Sequence, residues 1–453
     1  METETISEAK QVPSVKGHWL FKGGLELSQD IIKFVQKYRP LHGDIFHVDT
    51  LKHQVYIVTH PDIVKHILQE NNRNYTKSFG YKVMQLLVGH GLLTSEGEHW
   101  KKQRRLAQPA FHKERLAAIT VKMAEAAEKI AEKWSRLQTE GKTVNVSDDM
   151  NEVALDIVAD ALFSTGISGD LEVLRKAITV GNEFVMNRIR QLIQVPVWVP
   201  LPANLAFNES MKQLDKIIYR IIESRKQEAG NKHNDLLSML MEAKDEETGE
   251  GMSDLQLHDE VMTIFIAGHE TTAVSLAWLF YLLSKHPEVE NKLREELKTV
   301  LNGKTPAFED LPKLRYTRQV IDESLRIYPP AWIVGRMSLG EDEIDGYHIP
   351  KDSTMLMISY AIHRHPRYWK DPEKFDPERF SPERAKEIHK YAYFPFGGGP
   401  RLCIGNNFAL LEMQIIVATM LQKFQLRMLT DEVPAFEQLI TLRPQHGIKM
   451  KFV

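Results

Sequence analysis

The sequence predicts a predominantly α-helical chain with a minor β-rich part, and three observations carry that reading. Across residues 114–225 apolar side chains recur at helical spacing, interrupted only at Gly141, at 166–170 and across Pro196 to Pro202. Residues 261–283 form an apolar run far too long for a strand and free of proline. Strand-like alternation is confined to 44–59, to short pieces between 333 and 360, and to the stretch after Gln425. No Pro/Gly/Ser-rich or like-charge linker divides the 453 residues, so one domain, 1–453, is expected, led by a polar and irregular segment over 1–27.

In chain order, Pro13, Gly17, Gly23 and Gly24 punctuate the entry, and Ile31, Ile32 and Val35 are spaced for a helix over 28–38. Residues 44–59 read as a hairpin turning near Leu51-Lys52, and 62–70 as helix. Gly80, Gly89 and Gly91 break the apolar stretch 79–93, which reads as a long loop able to line a pocket. Trp100 and Arg104 lie four apart on one helical face, where an indole N–H and a guanidinium can jointly hold a carboxylate. Lys101, Lys102 and Arg105 beside them read as solvated charge. The run Val195 to Pro202 joins two helices. Ser253 is placed to cap a long helix reaching Ser284, whose centre reads Ala267-Gly268-His269-Glu270-Thr271-Thr272. Thr271 in such a setting can bond back to the carbonyl four residues earlier. Glu323 and Arg326 stand three apart on a helix, the usual spacing of a surface pair. Residues 333–336 and 355–360 look like strands, and Asp345-Gly346 like a hairpin turn.

A net charge of −3, from 58 Lys and Arg against 61 Asp and Glu, argues against nucleic-acid binding. The single cysteine excludes a disulfide scaffold. The polar N-terminus lacks an apolar signal core. Residues 261–283 are long enough to span a bilayer, but a carboxylate at mid-membrane costs about 2.5–3.5 kcal/mol, so a core helix with functional polar groups is expected instead. No membrane anchor and a cytoplasmic location follow as expectations.

That single cysteine, Cys403, lies in Phe396-Gly397-Gly398-Gly399-Pro400-Arg401-Leu402-Cys403-Ile404-Gly405, which feeds an apolar helix. Free N–H groups and the helix dipole at such a junction favour a thiolate. A phosphate cradle is the alternative for a glycine-rich loop before a helix, but no Lys-Ser or Lys-Thr follows the glycines and no strand precedes them.

The stretch closely resembles the cysteine-ligand loop of the cytochrome P450 family, Phe-x-x-Gly-x-Arg-x-Cys-x-Gly, met here by Phe396, Gly399, Arg401, Cys403 and Gly405. Trp-x-x-x-Arg, Ala-Gly-x-Glu-Thr-Thr and Glu-x-x-Arg precede it in the family's order, so the resemblance covers essentially the whole chain. It implies the cytochrome P450 fold, with haem b (iron protoporphyrin IX) between the 261–284 helix and the Cys403 loop. Cys403 is then the axial ligand of the metal, which favours O–O cleavage. Trp100, Arg104, Arg336 and Arg401 neutralise the haem carboxylates, Phe396 shields the sulfur, and Gly405 allows close approach of the backbone. Glu270 and Thr271 conduct protons toward dioxygen, and Gly268 lets the helix open locally. Glu323, Arg326 and Arg379 form an internal charge network.

The implied activity is insertion of one atom of O₂ into an apolar molecule such as a fatty acid or terpenoid. NAD(P)H electrons come indirectly, because no flavin or nicotinamide motif is present, through a ferredoxin- or flavodoxin-type partner with its reductase. A peroxide-using or hydroperoxide-rearranging enzyme is the alternative within haem chemistry, and a haem-based sensor outside it, with His269 as the candidate second ligand. The expected substrate pocket comprises Phe79, Leu86, Leu87, Met186, Ile264, Phe265, Ala267, Ile333, Val334 and Ile440.

Overall fold

The computed structural model describes residues 10–16, 24–50, 54–164, 169–191, 194–228, 235–245 and 247–453. The expected turn at Leu51-Lys52, the entry through Gly17 and Gly23, and most of the interruption at 166–170 lie outside these residues. The chain forms two compact units, one of residues 1–80, 331–374 and 387–403, the other of 81–330, 375–386 and 404–453.

The first unit is built on a five-stranded sheet. Its order is Ile45–Asp49, Gln54–Val58, Thr354–Met357, Val334–Ser338, Tyr75–Lys77, antiparallel except for the pairing of Gln54–Val58 with Thr354–Met357. Alternation puts Tyr56, Val58, Met355 and Met357 into one apolar cluster, and Phe46, Val48 and Ile57 into another beneath the Ile31–His42 helix. A second sheet pairs Asp342–Ile344 with Tyr347–Ile349 through Asp345 and Gly346, both with positive φ, as the Asp-Gly turn predicts. Lys10–Gln11 adds to it in parallel, so the N-terminal segment expected to be irregular is tied down by backbone pairing there.

The second unit is helical. The long helix runs Asp254–Lys285, opened by a reciprocal cap in which Gln256 N–H donates to Ser253 Oγ at 3.3 Å and Ser253 N–H to Gln256 Oε1 at 2.8 Å. It packs on the helices Val146–Phe163, Pro202–Gln227 and Asn406–Lys423. Trp278, fully buried on it, stacks on Tyr328 and donates to the Leu442 carbonyl at 2.8 Å. Lys113–Thr139 and Leu171–Arg190 complete the helical stretch read from periodicity. Among the described residues no helix is long and apolar enough to cross a membrane.

Three local expectations are corrected. Phe79–Val88 is a helix and not a loop, because its glycine sits in the first turn, where it interrupts little. Residues 62–70 are helical but change from Pro61–Lys65 to a wider π turn over His66–Glu70. The strand begun at Thr354 stops at Met357, and a short helix, Ser359–Ile362, replaces its expected end.

Candidate active site

The cysteine loop belongs to the first unit, and its glycines have specific causes. Gly399 has φ +63°, and a Cβ there would lie 1.8 Å from the Leu68 carbonyl oxygen, so only glycine lets this backbone rest on the 66–70 turn. The close approach at Gly399 is therefore to protein backbone. Tyr391 and Phe394 root the loop in the core. Tyr391 donates to Gln69 Oε1 at 2.9 Å, and Phe394 N–H to His363 Nε2 at 3.0 Å. The chain then doubles back, with Cys403 N–H donating to the Phe396 carbonyl at 3.0 Å. The loop thus holds Cys403 rigidly through its backbone while its thiol is solvent-accessible. Phe396 and Arg401 beside it are half-buried.

In the same unit Arg336 is buried on Val334–Ser338, directly opposite Lys77, also buried, on Tyr75–Lys77. Two cations thus lie side by side on one ladder, where both can reach a shared anion. Lys77 was not foreseen, since a lysine ending a short strand has no distinguishing pattern in sequence.

In the second unit the long helix carries an opening of its own. Between Leu257 and Ser284 every residue is buried except Ala267, Gly268 and Thr271, which share one face with Ile264. The helix stays α-helical through this window, so the local opening expected at Gly268 is not present. A Cβ at Gly268 would lie 3.1 Å from Val158, and glycine here lets the helix pack closely on Val146–Phe163. Thr271 Oγ1 donates to the Ala267 carbonyl at 2.7 Å. Glu270 points away from the window and is buried, accepting from Thr441 Oγ1 at 2.8 Å and from Asn182 Nδ2. Burial raises its pKa, opposed by the Thr441 hydroxyl, the Arg443 charge and the Asn182 amide. Burial likewise pushes the His269 imidazole down to about 4, so it is neutral, with the Asn151 backbone beside it.

Trp100 and Arg104 are half-buried on Gly97–Ala107, one turn apart. Lys102, half-buried, pairs with Glu250, and Arg105 with Glu247 and the buried Asp245, so Arg105 is more than the solvated charge expected. Gly405 caps Asn406–Lys423 and accepts the Ala409 N–H at 2.9 Å.

The structure brings Glu323, Arg326 and Arg379 together, and buries them where the spacing alone suggested a surface. Arg326 meets Glu323 through two bonds of 2.6 and 2.7 Å, Arg379 Nε lies at 3.3 Å, and the Asp376 N–H donates at 2.9 Å. Of the expected pocket residues, Ala267 and Ile264 lie on the window face, and Met186 and Ile440 are half-buried. Phe79 and Leu86 are exposed. Two are corrected to packing residues. Phe265 is buried against Phe163, because it lies on the face that meets Val146–Phe163. Leu87 is buried in the space left by Gly181. Ile333 and Val334 pack on the apolar clusters of the first unit.

Within the first unit, a soft sulfur ligand on a backbone-tied loop and two buried cations on one ladder fit haem. The cytochrome P450 family profile matches residues 12–452. Among curated proteins the chain is 37% identical to cyclooctat-9-en-7-ol 5-monooxygenase of Streptomyces melanosporofaciens, over 86% of this chain and 83% of that one. It is 32% identical to pentalenene oxygenase of Streptomyces avermitilis, with 86% of each chain covered. Among solved structures it is similar to the cytochrome P450DA haem domain, with a TM-score of 0.90 and 28% identity over 99% of this chain and 98% of that one. The chain therefore belongs to the cytochrome P450 family and is a haem-thiolate monooxygenase.

Proposed function

We propose that the substrate is a terpenoid, that the haem is haem b held through Cys403, and that NAD(P)H electrons arrive through a ferredoxin- or flavodoxin-type protein and its reductase. The observation that carries the substrate reading is the window on the long helix. Ile264 and Ala267 are aliphatic, and the Thr271 hydroxyl already donates to the Ala267 carbonyl, so this face gives a substrate shape and apolar contact but no free donor. Relatives named for oxidising cyclooctat-9-en-7-ol and pentalenene support a compact terpenoid over an extended acyl chain.

Bound haem supplies the activation of dioxygen. Cys403, fixed by its backbone bond to Phe396, would present sulfur to it, and Phe396 would shield that sulfur once haem is bound. Trp100, Arg104, Arg336 and Arg401, joined by Lys77, would hold its carboxylates. Gly405 leaves the backbone free of a side chain beside the sulfur. Glu270 stores a proton, and Thr271 passes it by releasing the Ala267 carbonyl and turning its hydroxyl. Glu323, Arg326 and Arg379 keep the helical unit rigid. The chain enters the first unit three times, at 1–80, 331–374 and 387–403, a connectivity that supports one domain over two independent ones.

The test is a screen of substrate-induced spin-state shifts on purified protein, with terpenoid olefins and alcohols against fatty acids. Terpenoids are expected to shift the Soret band and, with a reconstituted electron donor, to gain one oxygen atom. Shifts and products with fatty acids alone would overturn the substrate assignment.

A further inference from the structure

Glu270 is gripped from two distant parts of the chain. Asn182, on Leu171–Arg190, donates its amide to Oε2, and Thr441, in the turn between the strands Phe436–Gln438 and Leu442–Pro444, donates its hydroxyl to Oε1 at 2.8 Å. All three side chains are buried. Both donors are neutral. Among the described residues Arg443 is the one charge acting on Glu270, and it is itself engaged by Glu437 at 2.9 Å and Glu183 at 3.3 Å. His269, next to Glu270, is neutral, and burial raises the pKa of Glu412 on Asn406–Lys423 well above the usual carboxylate range, opposed by the Thr272 hydroxyl.

Asn182 Oδ1 is buried and has no hydrogen-bond partner among the described residues. An amide that donates to a carboxylate through nitrogen can, after a half-turn about its last torsion, accept from the protonated acid through oxygen. A threonine hydroxyl reverses in the same way. The pair can therefore satisfy Glu270 both charged and neutral, which a lysine or arginine partner could not.

We propose that Asn182 and Thr441 are positioning residues for the oxidation: they hold Glu270 in place through both of its protonation states and set the pH at which it parts with its proton. The inference rests on the reading of Glu270 as the proton-storing acid. Each donor favours the ionised form, so removing either must raise the pH at which Glu270 loses its proton.

The experiment uses the holoenzyme and four variants: Thr441→Val, Thr441→Ser, Asn182→Leu and Glu270→Gln. Infrared difference spectroscopy follows the carboxylic C=O stretch of Glu270 against pH, the band being assigned by its loss in Glu270→Gln. The midpoint is expected to rise by about one pH unit in Thr441→Val and in Asn182→Leu, and to return in Thr441→Ser. The alkaline limb of coupling, product formed per NAD(P)H consumed, should move upward with it while substrate affinity stays unchanged. A purely structural role would lower haem content or affinity without moving the midpoint. If Glu270→Gln uncouples turnover but the midpoint stays put in both Thr441→Val and Asn182→Leu, the clamp is wrong and the proton-storing role of Glu270 stands. If Glu270→Gln couples as the wild type does, that role falls, and the positioning role falls with it.

Discussion

Glu323 and Glu270 are both buried glutamates on helices of the same unit, yet their surroundings differ in one respect that decides what each can do. Glu323 faces two guanidiniums, from Arg326 and Arg379, and a backbone N–H. Glu270 faces an amide and a hydroxyl. A buried carboxylate matched to fixed positive charge serves as a structural tie, because removing it takes away the counter-charge its partners share. One matched to neutral, reversible donors can take up and release a proton without disturbing its neighbours. The difference shows why burial alone does not identify a functional acid, and why the partners do.

The largest effect is expected at Glu323, the acid tied to two guanidiniums. Glu323→Ala should destabilise the protein by about 3–5 kcal/mol, because it removes the buried carboxylate that Arg326 and Arg379 share. Denaturant unfolding measures this, and a loss near that of a surface pair would remove the structural half of the comparison.

A third carboxylate sharpens it. Glu260 is buried with a single donor, the Leu92 N–H at 3.0 Å, and burial pushes its pKa up from 4.5 to about 7, with the Leu92 bond opposing and the Asp259 charge adding to the rise. Its folded pKa is raised, so its contribution is fully present below the unfolded value and is lost as pH rises through about 7. Unfolding free energy should fall by up to about 3 kcal/mol across that interval, and Glu260→Gln should flatten the slope. An unchanged slope in the variant would assign the pH dependence to other groups.

At Glu270 the expected cost in stability is smaller. Glu270→Gln should change unfolding free energy by no more than about 1 kcal/mol, since the Gln oxygen can still accept from Thr441 and its amide can donate to the open Asn182 Oδ1. Coupling should fall at the same time. A loss of stability as large as that of Glu323→Ala would make Glu270 a structural acid. The smallest effect belongs to a surface pair: Lys102→Ala, which removes the bridge to Glu250, should cost less than about 1 kcal/mol and leave haem content unchanged.

The contrast between the two glutamates also marks what could be read from sequence. The cap at Ser253, the Asp345-Gly346 hairpin and the cysteine loop were legible because each is a local pattern with a local cause. The grip on Glu270 was not, since Asn182 and Thr441 lie 88 and 171 residues away and neither has a local signature. Glu323 and Arg326 were visible as a pair, but their burial comes from Arg379 and the Asp376 backbone, which only the tertiary fold brings over them. The Phe79–Val88 helix was misread because a glycine was given the weight of a breaker at a position where helices tolerate it.

Cys403 as the sulfur ligand of haem underlies every other role proposed for this chain. Its most direct test is the absorption spectrum of the ferrous carbonyl complex of the purified holoenzyme. A strongly red-shifted Soret band, lost in Cys403→Ser, is the result predicted. An imidazole-like carbonyl spectrum in the unmutated protein would contradict it.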